Sequence, residues 1–264
     1  MRLVSFVALA LLGACNSTPA KSSTTTTTTT ASAPAASAAP SASIALVTSS
    51  SAATPPPPLV PMDALEREAK AEWDKNQHVD IVYVPTPQKV VDKMLEIAKV
   101  TANDVVYDLG CGDGRIVVTS AKMGAKATGF DIDPARVSEA RVHVTSAHVE
   151  SNASIKWANV FSVDLSPATV VTLYLLPELN VKLIPQLEKL KPGSRIVSHD
   201  FDMAGVKPDA EFTITAPEFV NDEGYSAYKG EGIPEDPQHY KQRSHHLYLW
   251  TTPLKKVPIA KTLH

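Results

Sequence analysis

The chain has 264 residues, of which 44% are hydrophobic and 20% are charged, and its formal charge is −3 at pH 7. Arg2 and Lys21 are the only charged side chains before position 61, so residues 61–264 carry a formal charge of −5. This acidic balance argues against a nucleic acid as the main partner, and about 200 residues are enough for one α/β domain with a sizeable core.

The N-terminus has the pattern of an export signal. Arg2 precedes an apolar run over residues 3–12, which is far too short to span a bilayer, and Cys15 follows a small-residue site. The stretch resembles the bacterial lipobox, in which the cysteine is diacylated. It predicts a lipoprotein-type signal peptide over 1–15 and an exported protein anchored in a bacterial envelope through lipid on Cys15 alone. An ordinary signal peptide with an incidental cysteine is the alternative.

Residues 16–60 are of low complexity, with seven consecutive threonines at 24–30 and four prolines at 55–58. Such a composition cannot bury a core and predicts a disordered tether. The folded domain is therefore expected over 61–264. Its cysteine, Cys111, lies among glycines with no histidine near in sequence, which favours a small turn residue over a nucleophile.

Helical and extended patterns then follow along the domain. A helix is predicted over 62–76, an extended run over 79–84, and a second helix to about 99, capped by Thr86 with Pro87 in its first turn. After residue 100, strands alternate with helices. The strands are expected at 104–108, 127–131, 154–158, 169–176 and 194–198, and the helices between them end near 123, 149 and 190.

Two later runs, 211–215 and 246–251, are expected to pair antiparallel at the sheet edge, with a long loop or lid over 217–244. Pro185 is expected to kink the helix over 178–190. The pattern predicts a Rossmann-like α/β fold: a doubly wound, mostly parallel seven-strand sheet with helices on both faces.

The most informative stretch is a glycine loop at the end of the first sheet strand. Asp108 is followed by glycines at 110, 112 and 114, a D-x-G-x-G-x-G pattern that lets backbone approach a ligand closely. A dinucleotide site requires G-x-G-x-x-G, with a further glycine where the helix packs, and an acid here would repel a pyrophosphate. The acid suits a cationic ligand, so a nicotinamide enzyme is disfavoured.

A second acid follows at the expected distance. Asp131 ends the next strand 21 residues after Gly110, where a carboxylate can accept hydrogen bonds from ribose hydroxyls. Asp133 precedes Pro134 and is expected to cap a helix. The alternative for Asp131 is a turn residue without a ligand.

The glycine loop resembles motif I of the class I S-adenosylmethionine-dependent methyltransferases. Segments at 83–87, 108–115, 170–180 and 193–201, together with Asp131, fall in the order seen in the seven-strand protein-lysine methyltransferases. That branch contains the histone-core enzymes and the mitochondrial enzymes that act on the ATP synthase c subunit and on adenine nucleotide translocase. The resemblance covers residues 80–200 and implies S-adenosyl-L-methionine as cofactor and a protein lysine as acceptor.

The resemblance also implies roles for individual cofactor-site residues. Asp108, Gly110 and Gly112 would line the methionine end, and Asp131 would hold the ribose. Further along the sheet edge, Asn159 and the amide of Val160 would face the adenine, where the family commonly has an aspartate in place of Asn159. Tyr83 and Thr86 would lie beside the amino-acid end, while Arg115 is expected to pair with a nearby acid.

The acceptor is expected at the ends of the next two strands. Tyr174 would form part of an apolar wall, and His199 or Asp200 would orient the acceptor or take a proton. The alternative is that His199 and Asp200 only stabilise the strand end. His245 and His246 are adjacent on a strand and point to opposite faces, so no metal site is predicted.

Several functional alternatives remain open. The acceptor is a protein lysine, a small molecule or a lipid, or the chain is an envelope binding module without turnover. The last alternative arises because an exported protein finds little S-adenosylmethionine outside the cytoplasm. A monomer is expected.

Overall fold

The computed structural model describes residues 63–76, 83–220 and 239–258. The predicted signal peptide with Cys15, the predicted tether and most of the predicted 79–84 run lie outside these ranges. So do residues 221–238, the centre of the predicted 217–244 loop.

A seven-stranded sheet organises the domain. Its strands are β1 Val105–Leu109, β2 Lys126–Asp131, β3 Ala153–Trp157, β4 Val170–Leu173, β5 Arg195–His199, β6 Ala210–Phe219 and β7 Tyr240–Thr251. The strand order is β3-β2-β1-β4-β5-β7-β6. The neighbouring pairs from β3 to β5 are parallel, and β7 runs antiparallel to both β5 and β6. This confirms the predicted fold class. The chain order reverses between β1 and β4, which places the ligand-binding crevice at their carboxyl ends.

Helices cover both faces of the sheet. Their bounds are α1 Ala64–Asn76, α2 Gln88–Ile97, α3 Arg115–Lys122, α4 Pro134–Ser146 and α5 Pro177–Leu187. One core cluster joins α2, α3 and α4 to the sheet through residues such as Val90, Val106 and Val117. The other joins α5 to the opposite face through Leu109 and Leu183. Alternate β1 residues thus enter opposite cores, as the two-residue period of a strand requires.

The sheet departs from the predicted boundaries at its antiparallel edge. The β6–β7 ladder extends to the Phe219–Tyr240 pair, so both ends of the predicted 217–244 loop are strand instead. Cross-strand pairing here outweighs the polar, proline-containing composition, and Pro217 is tolerated because β6 is an edge strand. β4 ends at Leu173, three residues before the predicted end. In the three described ranges, no helix is long and apolar enough to cross a membrane.

Candidate active site

The glycine loop after β1 adopts a backbone that only glycine accommodates easily. Gly110 and Gly112 have φ angles of +76° and +54°, in the left-handed region. A Cβ on Gly110 would lie 2.8 Å from Cδ2 of Leu175, and one on Gly112 would overlap the Tyr83 ring. The loop is tied to β2, because the amides of Gly110 and Cys111 donate to the Phe130 carbonyl at 2.9 and 3.0 Å. The sequence pattern therefore marks a tightly enclosed strand-to-helix turn.

Gly114 has a packing role that its spacing did not indicate. A Cβ at this position would lie 2.9 Å from the Cβ of Ala140 in α4. Gly114 therefore does allow two elements to pack closely, like the last glycine of a dinucleotide motif. The elements that it brings together are the start of α3 and the helix α4. Cys111 is buried beside the loop, and burial raises the pKa of its thiol well above the usual value, which supports the predicted turn role.

Asp108 is a buried acid with one unused oxygen. Its side chain is 3% exposed, and Oδ1 accepts a hydrogen bond from Thr172 Oγ1 at 2.7 Å. Oδ2 is buried and has no hydrogen-bond partner among the described residues. Burial raises the pKa of Asp108 to about 7, against the opposing effect of the Thr172 hydroxyl. A buried, unpartnered carboxylate oxygen is costly, and a cationic ligand in the adjacent crevice would relieve that cost.

Asp131 stands at the end of β2 and is bonded to the glycine loop. Its Oδ2 accepts from the Gly112 amide at 2.8 Å, and its Oδ1 accepts from the Asp133 amide at 3.0 Å. A carboxylate offers about four acceptor positions, so these bonds leave room for further donors. Burial raises its pKa to about 6 despite both amides. Asp133 caps α4 by accepting from the Ala135 amide at 2.8 Å, as predicted.

Tyr83 and Thr86 lie between the glycine loop and α2. The Tyr83 ring packs against Gly112, and the carbonyl of Thr86 accepts from Arg115 at 2.7 Å. Arg115 also forms an ion pair with Asp113 at 2.6 Å, which confirms that it pairs with a neighbouring acid.

The prediction that Thr86 caps the following helix is wrong. The N-cap of α2 is Pro87, with no side-chain cap hydrogen bond. The buried Thr86 hydroxyl instead lies 3.3 Å from His199 Nδ1. A buried imidazole nitrogen requires a partner, whereas the helix start is already fixed by Pro87.

Asn159 and Val160 follow β3 at the far end of the same sheet edge. Asn159 caps a short 3-10 helix, Val160–Ser162, by accepting from the Phe161 amide at 2.9 Å. Its Nδ2 donates to both carboxylate oxygens of Glu72 in α1, at 2.9 and 2.8 Å. Val160 is partly buried. The contact with Glu72 was not foreseen, because the two residues are 87 positions apart in sequence.

Tyr174, His199 and Asp200 come together beyond β4 and β5. The Tyr174 ring packs on the His199 ring with centroids 3.9 Å apart, and its hydroxyl donates to Asp200 Oδ2 at 3.4 Å. His199 is fully buried, and burial lowers its pKa to about 3, so it is neutral at physiological pH. Asp200 has a φ of +60°, a left-handed conformation that is uncommon outside glycine and often found at functional sites.

Three residues that the sequence did not assign to the site, Glu218, Arg243 and His245, complete this cluster from β6 and β7. His245 Nδ1 lies 2.9 Å from His199 Nε2, and Arg243 forms ion pairs with both Asp200 and Glu218. Although burial opposes it, the His246 amide and the Arg243 guanidinium, which both donate to its carboxylate, hold the pKa of Asp200 below its usual value.

The same cluster bears on the prediction of no metal site. His245 and His246 do differ in burial, but His245 meets His199 and Asp200 across the strands, and their ligand atoms lie within 4.8 Å of one another. However, the Arg243 guanidinium donates to both Asp200 and His245 Nδ1. This places a positive charge beside the atoms that would bind a cation, so the contacts favour a hydrogen-bonded network.

Comparisons with known proteins agree with this geometry. The family description ANTKMT methyltransferase domain matches residues 108–210. The protein-lysine N-methyltransferase of Saccharolobus islandicus (strain REY15A) is 53% identical over 131 residues, covering 48% of this chain and 81% of that protein. The adenine nucleotide translocase lysine N-methyltransferase of Mus musculus is 28% identical over 134 residues, covering 50% of this chain. The chain spans little more than half, 58%, of the length of that mouse relative.

A solved structure extends the relation to a bound ligand. An RNA methyltransferase from Salinibacter ruber, in complex with S-adenosyl-L-homocysteine, is 42% identical with a TM-score of 0.51. The match covers 66% of this chain and 97% of that one. The unpartnered oxygen of Asp108 fits such a cofactor, and S-adenosylmethionine is the cofactor of this enzyme. The chain therefore belongs to the family of seven-strand S-adenosylmethionine-dependent methyltransferases that includes the Saccharolobus islandicus protein.

Proposed function

We propose that this methyltransferase acts on the side-chain amine of a lysine in a protein. The observation that carries the proposal is the 53% identity to a protein-lysine N-methyltransferase over 81% of that protein's length. The mouse relative, also named a lysine N-methyltransferase, supports the same acceptor class.

The cofactor end of the site lies along β1 and β2 in this proposal. Asp108 Oδ2, which has no partner in the part of the chain that the structure describes, accepts from the cofactor's ammonium group. The backbone at Gly110 and Gly112 lies against the methionine end, with Tyr83 and Thr86 beside it. Glycine is needed at both positions, because a Cβ there would meet Leu175 or the Tyr83 ring. Asp131 binds the ribose hydroxyls, and Asn159 and Val160 lie at the adenine. When bound, S-adenosylmethionine supplies an electrophilic methyl group on a sulfonium.

The acceptor end lies at Tyr174, His199 and Asp200. A lysine must be neutral to attack, and with a reference pKa near 10.4 its deprotonation at pH 7 costs about 4–5 kcal/mol. The partly buried ring of Tyr174 lowers that cost by desolvating the ammonium. Asp200, which its lowered pKa keeps ionised, accepts a hydrogen bond from the neutral amine and so orients it. His199 serves as a hydrogen-bonding support and not as a base, since its pKa of about 3 makes protonation unfavourable.

A methyl-transfer assay tests the acceptor class. The full chain is incubated with methyl-labelled S-adenosylmethionine and envelope or cytosolic extract, and the product is treated with protease, nuclease or organic solvent. Label that is released by protease and maps to lysine supports the proposal. Nuclease-sensitive label would favour the RNA substrate named for the Salinibacter ruber enzyme, although the acidic domain argues against this. Solvent-extractable label would favour a lipid or small molecule, and cofactor binding without transfer would favour a binding module.

We also propose that Cys15 carries a lipid anchor that holds the enzyme in a bacterial envelope, with residues 16–60 as its tether. The small-residue site before Cys15 supports this proposal. Metabolic labelling with palmitate should be lost in Cys15→Ser, and labelling that survives the substitution would contradict lipidation.

A further inference from the structure

We infer that Glu72, in the helix before the family domain, is a specificity residue for the purine of the cofactor and accepts a hydrogen bond from its 6-amino group. This inference rests on the proposed position of the adenine at Asn159. Glu72 lies outside the 108–210 segment that matches the family description, so the comparisons assign it no role.

The position of Glu72 follows from the arrangement of the sheet edge. Asp108 and Asp131 lie at the carboxyl ends of β1 and β2, and Asn159 follows β3. These three strands are neighbours in the sheet and span about 10 Å at ordinary strand spacing. A nucleoside that begins at Asp108 and passes Asp131 therefore ends near Asn159. Glu72 touches that point, because both of its carboxylate oxygens bond to Asn159 Nδ2.

Hydrogen-bond accounting favours Glu72 over Asn159 as the main acceptor. Asn159 uses its Oδ1 for the Phe161 amide and its Nδ2 for Glu72, so one oxygen position is left. Glu72 is partly exposed and has about four acceptor positions, of which Asn159 occupies two. A carboxylate also forms stronger hydrogen bonds than an amide oxygen. Glu72 thus supplies the acidic acceptor that Asn159 itself lacks.

Helix α1 is held in place by other contacts as well, so Glu72 is not needed only as a tether. Ala69 is fully buried, and Leu65 packs against a core cluster. Glu68, one turn before Glu72, accepts from Ser162 Oγ at 2.9 Å. Glu68 therefore offers a matched control: an acid on the same face of α1 that binds the segment after Asn159.

The test compares two ligands by calorimetric titration of the full chain. S-adenosylhomocysteine carries the 6-amino group, whereas S-inosylhomocysteine has a carbonyl at that position. Glu72→Ala should weaken binding of S-adenosylhomocysteine about tenfold and leave S-inosylhomocysteine binding within about twofold of wild type. Glu68→Ala should change neither. Adding Asn159→Asp to Glu72→Ala should restore the preference for the amino group, because a carboxylate returns to the same point.

The other outcomes overturn the inference separately from the proposed function. Equal weakening of both ligands by Glu72→Ala would reduce Glu72 to a tether of α1. Tighter binding of both ligands would mean that α1 covers the purine position instead of completing it. A wild-type chain that binds S-inosylhomocysteine as tightly as S-adenosylhomocysteine would also exclude recognition of the amino group. Absence of any binding by the wild type would instead contradict the cofactor assignment itself.

Discussion

The two sides of the crevice differ in whether their acidic side chains are paired with a cation. On the β1–β2 side, one oxygen of Asp108 has no partner within the described ranges, and burial raises the pKa of Asp108 to about 7 and that of Asp131 to about 6. On the β5–β7 side, Asp200 and Glu218 share Arg243, and the pKa of Asp200 is held below its usual value. In the proposed site, the uncompensated charge on the β1–β2 side is available to a cationic ligand, whereas the paired charges on the β5–β7 side already hold one another in place.

The largest expected effect is the loss of cofactor affinity in Asp108→Asn. Asparagine has the size of aspartate, and its side-chain oxygen can still accept the hydrogen bond from the Thr172 hydroxyl. The substitution removes the negative charge that would face the ammonium group of the cofactor. Affinity for S-adenosylhomocysteine should fall by roughly 2–5 kcal/mol in titration calorimetry. Ligand-free stability at pH 8 should not fall, because the substitution removes a buried, unpaired charge.

Asp104→Asn is the matched control for Asp108→Asn, because it changes an acid that is paired instead of one that is unpaired. Asp104 immediately precedes β1 and is buried, but it is already paired with Arg195 at 2.5 Å and accepts from Thr169. We expect this variant to lose stability and to bind the cofactor normally. If both variants lost stability and neither lost affinity, the contrast between unpaired and paired acids would be wrong.

The second prediction concerns the compensated side. Arg243→Met leaves the buried Glu218 and the partly buried Asp200 without their cation, and the free energy of unfolding should fall by roughly 2–4 kcal/mol. The expected loss of stability is moderate because the Arg243 side chain is 40% exposed, so that solvent screens part of its attraction to the two acids. Chemical denaturation measures the effect, and Glu218→Gln in the same chain should recover part of it. A loss that Glu218→Gln does not reduce would show that packing, not charge, is responsible.

Much of the β1–β2 side was predictable because its signals are local. Asp108, the glycine loop and Asp131 lie within a single strand–helix–strand unit, where strand ends and turn residues can be read from periodicity. The alternation of strands and helices also predicted the sheet, which the structure confirms. Asp108 and Asp131 are close in space as well as in sequence, because β1 and β2 are parallel neighbours and their carboxyl ends lie side by side.

The β5–β7 side was less predictable because its contacts arise from pairing between distant segments. Arg243 and His245 reach Asp200 and His199 because β7 pairs with β5 in antiparallel register. Arg243 lies within the predicted 217–244 loop, where a polar composition conceals the strand. Thr86 shows a different difficulty: a hydroxyl before a helix has a local capping option, and only the fold reveals the competing imidazole.

The third prediction is a pH dependence confined to the cofactor side. Asp108 must be ionised to bind an ammonium, and its pKa of about 7 means that a proton has to leave first at lower pH. Affinity for S-adenosylhomocysteine should therefore rise with pH and level off above about 7, and we expect it to be about tenfold weaker at pH 6 than at pH 8. Calorimetry in buffers of different ionisation enthalpy measures the released proton. Asp108→Asn should flatten most of the profile and leave a weaker dependence from Asp131, whereas an unchanged profile would assign it to another group.

The smallest expected effect tests the residue that joins the two sides. Thr86 bonds to Arg115 beside the glycine loop through its carbonyl and to His199 on the acceptor side through its hydroxyl. Thr86→Val keeps the shape but removes the hydroxyl, and it should lower the free energy of unfolding by about 1 kcal/mol. In a double-mutant cycle with His199→Phe, most of that loss should disappear, because the nitrogen that needed the hydroxyl is gone. If the two losses simply add, or if Thr86→Asn, a good helix cap, restores full stability, then the hydroxyl serves α2 and the link between the two sides lies elsewhere.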